Sequence, residues 1–190
     1  MATKESSWIR TFSGQNFDPL NPRISKIDLM DIAHSLSNIC RFNGHTSEFY
    51  CVAEHSVLVS EHLESKGFNE EYQFSGLMHD VSEAYICDIA RPVKINIQGY
   101  AEYEDRIMAR ISTKFKLQVN YDDPAIKESD RILCSTEARD LMGDPQDWDF
   151  RKGIPLWDRK IVPCTPVEAK EMFLNRFNKL NKSRSSNAVR

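Results

Sequence analysis

The chain has 190 residues, 41% of them apolar and 28% charged, with 25 Lys and Arg against 28 Asp and Glu and a formal net charge of -3. That length suits one compact domain, and the acidic balance excludes broad nucleic-acid binding, which needs a basic surface to displace counterions. The sequence predicts neither a membrane span nor a signal peptide: it has no run of 18 apolar residues, and MATKESSWIR lacks an apolar core. The five cysteines are widely spaced with no C-x-x-C pair, so they read as small core residues of a reducing cytoplasm.

In chain order, SWIRTFSGQNFDPLNPR reads as a short strand or hairpin with a turn-rich lead-in. From Asp28 the period changes to helical. Leu29, Ile32, Ala33, Leu36 and Ile39 share one stripe, with Asp28 or Asp31 at the start. Asn43-Gly44 breaks the pattern. A second helix is expected over about 48–65, capped by Thr46 or Ser47 and closed by Lys66-Gly67. A third is expected over about 70–88, followed by the loop ARPVKINIQG. A fourth covers about 98–116 and a fifth about 123–142, the latter opened by DDP.

Residues 143–164 have no helical period and read as a long ordered loop with two of the three tryptophans. The last helix starts at a capping box, with Thr165 at the cap, Pro166 first and Glu168 three after the cap. The expectation is one all-α domain over 1–182 with an N-terminal strand or hairpin, and a flexible polar tail over 183–190.

Chemistry concentrates in GLMHDVSEAYICDIARPVK. His79, Asp80, Glu83 and Asp88 sit among Leu77, Met78, Val81, Tyr85 and Ile86. Burying such groups is costly unless they are paired or bind a metal. On a helix, His79 and Glu83 share a face, and adjacent His79 and Asp80 both reach one ion above it. Imidazole and carboxylate suit Zn, Mn, Co or Fe. Glu83, one turn on, stands where a general base would handle water. One helix cannot complete a shell. His55, among apolar neighbours on the second helix, and Asp130, before Ile132 and Leu133 on the fifth, are the candidates to close it. Of the other histidines, His62 in SEHLESK reads as solvated, His34 as packed, and His45 as a loop residue within reach of a substrate. The P-loop, G-x-S-x-G, dinucleotide-binding and H-E-x-x-H motifs are absent.

His55, His79-Asp80 and Asp130 in this order resemble the H…HD…D signature of the HD-domain metal-dependent phosphohydrolases. The closer resemblance is to the YfbR-type 5'-deoxynucleotidases and the phage dATP triphosphohydrolases (DatZ). Arg41-Phe42 precede AEHS, HDVSEAYICDIARPVK carries the H-D-x-S-E, Asp and P-V-K elements, and Lys127 lies three before Asp130. The likeness spans residues 31–140; the N-terminal lead-in and the loop after 143 lie outside it.

The resemblance implies a helical HD fold and hydrolysis at the α-phosphorus of a deoxynucleoside 5'-phosphate. His55, His79, Asp80 and Asp130 would hold one divalent ion, Zn, Co or Mn, joined by Mg or Mn when the substrate is a triphosphate. Glu83 would deprotonate the attacking water. Arg41, Lys94 and Lys127 would bind phosphate oxygens, and Asp88 the sugar. Phe42 stands where relatives often have Trp, and it is smaller and has no N–H. Both a monophosphatase and a triphosphohydrolase are compatible, with a slight lean to the dATP-directed triphosphohydrolase. The partners implied are a small-molecule deoxynucleotide and further copies of the chain, without a stable nucleic-acid or membrane complex. A (p)ppGpp-type hydrolase is disfavoured by Ala84 where those relatives carry a second acid. A nucleotide sensor without turnover is disfavoured by the intact Glu83.

Overall fold

In a computed structural model, which describes residues 7–187, the chain is all-α with a short N-terminal hairpin. In the hairpin, β1 (Ile9–Arg10) runs antiparallel to β2 (Asn16–Phe17). It docks on α1 (Leu29–Asn38) because Asp31 accepts from the Ser13 N–H at 2.6 Å and the Ser13 hydroxyl at 2.8 Å. Phe12 stacks on His34 and Phe17 on Tyr85, each pair with ring centroids 3.8 Å apart. Asp28 is the cap of α1, its carboxylate accepting from the N–H groups of Met30 and Asp31.

The second helix, α2, spans Val52–Ser65 and starts four residues later than its sequence suggests. Neither Thr46 nor Ser47 caps it. The Arg41 N–H bonds the Tyr50 carbonyl and the Val52 N–H bonds the Ile39 carbonyl, around an isolated bridge between Cys40 and Cys51. This strand-like pairing occupies the backbone groups that an earlier helical turn would need.

The helix expected over 70–88 is broken. It forms α3 (Glu70–Leu77) and α4 (Glu83–Ile86), joined by a turn at 78–82. The backbone there tightens to three-residue bonds, Glu83 N–H to Asp80 at 3.0 Å and Tyr85 N–H to Ser82 at 2.9 Å. One cause is a side chain: His79 Nδ1 bonds the Gly76 carbonyl at 2.8 Å, which a continuous helix would give to the Asp80 N–H. His79 and Asp80 therefore stand at a helix break rather than on a helix face.

The segment read as a loop contains a short turn of helix, α5 (Arg91–Lys94). The helices α6 (Tyr100–Phe115) and α7 (Pro124–Leu141) follow the predicted spans, and Asp123 caps α7. Residues 143–164 form a loop with only a 3-10 turn at Asp149–Arg151. The last helix, α8, covers Pro166–Asn187, and the Thr165–Glu168 capping box is formed. The expected flexible tail is thus helical from 183 to 187, while 188–190 lie outside the described residues. Arg184 secures it, bonding Glu71 at 2.6 Å and lying 4.0 Å over the Phe74 ring.

Two apolar clusters share α2. One gathers Ile32, Leu36, Val52, Phe74, Met78, Ile107 and Phe173. The other gathers Tyr50, Val59, Leu63, Ile132, Leu133 and Ile161. Helix α2 packs against α1, α3, α7 and α8, which buries nearly its whole surface. A polar residue near its centre must therefore find partners inside the protein.

Candidate metal centre and cleft

That polar residue is His55, fully buried on α2. Its Nδ1 lies 2.6 Å from Oε1 of Glu137, which is also fully buried on α7. Glu137 is held down to about 2: burial opposes ionisation, but Arg41 and His55 more than offset it. An ionised carboxylate only accepts, so Nδ1 carries the proton and Nε2 presents a lone pair in neutral His55. The Gly76 carbonyl assigns His79 the same way. Both rings thus turn Nε2 toward one point.

At that point the predicted ligands meet. The two Nε2 atoms are 3.4 Å apart. Asp130 Oδ1 lies 3.1 Å from His55 Nε2 and 3.9 Å from that of His79. Asp80 Oδ2 lies 3.1 Å from His79 Nε2 and 3.7 Å from that of His55. Ligands about 2.0–2.2 Å from a zinc-like ion stand roughly 3.0–3.5 Å from one another. Among the described residues, His55, His79 and Asp130 form a group able to hold a metal ion, and Asp80 borders this group through its contacts with His79 and His55.

The donor set has the right chemistry. Two imidazole lone pairs and two carboxylates face each other and repel unless a cation or protons lie between them. Burial and Arg41 push His55 down, but Glu137 and the hydrogen bonds that Asp130 and Glu137 accept from it lift it to about 9. His79 is also raised, burial being outweighed by Asp80. Asp80 lies far below its usual range because His79, His55 and Arg41 overcome its burial.

The centre opens into a cleft of about 560 Å³, within the size range of small-molecule sites. Arg41, Phe42, His79, Asp80, Glu83, Asp88, Lys94, Lys127 and Asp130 all line it. His45 is exposed and does not. Glu83 is buried at the start of α4, and its Oε2 has no hydrogen-bond partner. Burial first, then Asp80 and Asp88, push its carboxyl well above the usual range. Asp88 is half-buried and also raised, by burial and then by Asp80 against the pull of Arg41.

The three cations expected at phosphate are each paired. Arg41 is almost fully buried, with Nε and Nη2 on Glu137 at 3.1 and 3.0 Å. Its Nη1 stands 3.9 Å from Asp80 Oδ2. Lys94 Nζ bonds Glu104 at 2.6 Å, and Lys127 Nζ lies 3.0 Å from Asp122.

Sequence reasoning missed Glu137. It ties together His55, Arg41 and the Tyr50 hydroxyl, the last at 2.9 Å. The signal was its spacing, seven residues after Asp130 and so two turns along the same helix face. His62 was misread as solvated. It is buried between α2 and the long loop, with Nδ1 3.1 Å from the Ser129 hydroxyl and Trp157 edge-on at 5.3 Å. Its partners come from segments far away in sequence, which local charge cannot reveal.

No family model matches the chain. Over 182 residues it is 42% identical to the uncharacterized protein YfdR of Escherichia coli, covering 94% of this chain and 98% of that protein. It is also 34% identical over 192 residues to an uncharacterized protein of Rhodobacter capsulatus, again covering 94% of this chain and 98% of the relative. Near-complete overlap at this identity means that the chain belongs to the YfdR family.

Proposed function

We propose that this protein is a metal-dependent phosphohydrolase that cleaves a deoxynucleoside 5'-phosphate at its α-phosphorus and releases the deoxynucleoside. The observation that carries this reading is the convergence of the His55 and His79 Nε2 atoms, 3.4 Å apart, with Asp130 Oδ1 and Asp80 Oδ2, each carboxylate oxygen 3.1–3.9 Å from the two nitrogens, at a cleft whose wall includes Glu83 with its unpartnered Oε2. The HD-type motifs around these residues support it further.

His55, His79, Asp80 and Asp130 would hold the ion. A bound Zn, Co or Mn would polarise a phosphoryl oxygen and lower the pKa of water. Glu83 takes a proton from the attacking water as the new P–O bond forms, and that proton passes on to the sugar oxygen as its bond to phosphorus breaks, releasing the alcohol. The Arg41 side chain, fixed by Glu137, presents Nη1 to the charge developing on the phosphoryl group. Asp88 meets the sugar.

The sequence leaned slightly to a dATP triphosphohydrolase. The cleft favours the monophosphate, because Lys94 and Lys127 are already matched by Glu104 and Asp122, and Asp105 adds another acid to the lining. A triphosphate would need additional Mg or Mn to offset these acids. The protein would work in the cytoplasm, as an assembly of identical chains. Light scattering on the purified protein tests the assembly.

The deciding assay offers dNMPs, dNTPs, NMPs and ppGpp with Zn, Co, Mn or Mg. We expect inorganic phosphate from dNMPs. Triphosphate from dNTPs would select the other variant. Nucleotide binding without turnover of any substrate would contradict the hydrolase and leave a sensor.

A further inference from the structure

The loop after α7 brings a group of aromatic rings to the cleft that the proposed chemistry does not use. Its path is set by the end of the helix. Gly143 and Asp144 both have left-handed backbones, φ 72 and 54, and the Asp144 N–H bonds back to the Ala138 carbonyl at 3.2 Å. The chain therefore reverses beside the helix that carries Asp130. Arg151 holds the loop closed, its Nη1 on Asp144 Oδ1 at 2.5 Å and on the Pro145 carbonyl at 3.2 Å. Between these anchors stand Trp148 and Phe150, with ring centroids 5.4 Å apart. Trp148 meets Phe42 edge to face at 6.2 Å.

None of the three rings packs into either apolar cluster, yet all three line the cleft. Phe42 itself has φ 52, a region that a bulky residue adopts only under constraint. Short steps connect these rings to the metal centre: Asp80 to Arg41 at 3.9 Å, the Arg41 guanidinium to the Phe42 ring at 5.3 Å, then Trp148. Among the described residues, no protein acceptor meets the Trp148 indole N–H.

The geometry points to Trp148, backed by Phe42 and Phe150, as the wall on which the nucleobase of the substrate stacks, and so to a substrate recognised through an aromatic base as well as its phosphate. This rests on the reading of the cleft as a nucleotide site. A purine or pyrimidine has a π-face that stacks on such a ring whatever its edge pattern, and the indole N–H is free to donate to a base or sugar oxygen.

The test compares the full-length wild type with Trp148→Ala and Trp148→Phe on deoxynucleoside monophosphates and on deoxyribose 5-phosphate, which has no base. The ratio of kcat/KM between the two substrates falls roughly 10- to 100-fold in Trp148→Ala and is largely kept in Trp148→Phe. Equal loss on both substrates by a folded Trp148→Ala protein overturns the base wall while leaving the hydrolase intact. Should the wild type turn over nothing, titration of the metal-loaded proteins with the same nucleotides still decides. Weaker binding by Trp148→Ala supports the wall, and unchanged binding overturns it.

Discussion

His55 Nδ1 and Glu137 Oε1 lie 2.6 Å apart, with both residues sealed from solvent on neighbouring helices. This contact fixes which nitrogen of His55 faces the cleft. The same carboxylate holds the Arg41 guanidinium, so one buried acid orients both His55 and the cation beside it. Outer partners of this kind raise ligand basicity and lock ring orientation.

Glu137→Gln keeps the shape and removes the charge. The expected result is metal affinity about 10- to 100-fold weaker, read by titration of the metal-free protein. Stability should fall by about 3–5 kcal/mol, because Arg41 is left buried without its counter-charge. Unchanged metal affinity would show that the contact orients nothing.

Gly76 is placed against α2 so closely that an added Cβ would stand 2.4 Å from Leu63 Cδ1. Leu63 is fully buried and has little room to move. Gly76→Ala should cost about 1–3 kcal/mol by overpacking. It should also weaken metal binding, since the Gly76 carbonyl holds His79 Nδ1. Denaturant unfolding and metal titration of the variant check both parts, and a fully stable Gly76→Ala protein with normal affinity would contradict them.

The fold was legible in the sequence where its signals were local. Asp28, Asp123 and the Thr165–Glu168 box announced three helix starts. It was illegible where distant contacts decide. The late start of α2 depends on pairing across the Arg41–Tyr50 turn, and the break after α3 involves the His79 side chain competing for a backbone carbonyl. The terminal helix extends past 182 because Arg184 finds Glu71 and Phe74, a partnership invisible in a polar tail. The grouping of His55, His79 and Asp130 was legible because their motifs are distinctive. Glu137 resembles any helical acid until α7 is seen packed on α2.

His62 provides a pH test away from the centre. Burial, and then the nearby Lys66, lower it from its ordinary value to about 4. The folded state therefore resists protonation that the unfolded chain accepts. Its contribution is complete above the unfolded value of about 6.5 and is lost as pH falls through about 4. Wild-type stability should drop faster between pH 6.5 and 4 than that of His62→Leu. Chemical denaturation at several pH values measures the difference, and parallel curves for the two proteins would refute the assignment.

Glu83→Gln separates holding the ion from using it. The variant should bind metal as the wild type does and lose about 100- to 10,000-fold in turnover. Loss of the metal together with activity would make Glu83 a ligand instead of a base.

The most direct measurement is X-ray absorption spectroscopy of the protein loaded with zinc or cobalt, alongside titration of the wild type, His55→Ala and Asp130→Ala. The account predicts one tightly bound ion per chain, two imidazole nitrogens at about 2.0–2.1 Å with oxygens completing the shell, and marked loss of affinity in both variants. An ion bound without imidazole, or with undiminished affinity in the variants, would contradict it.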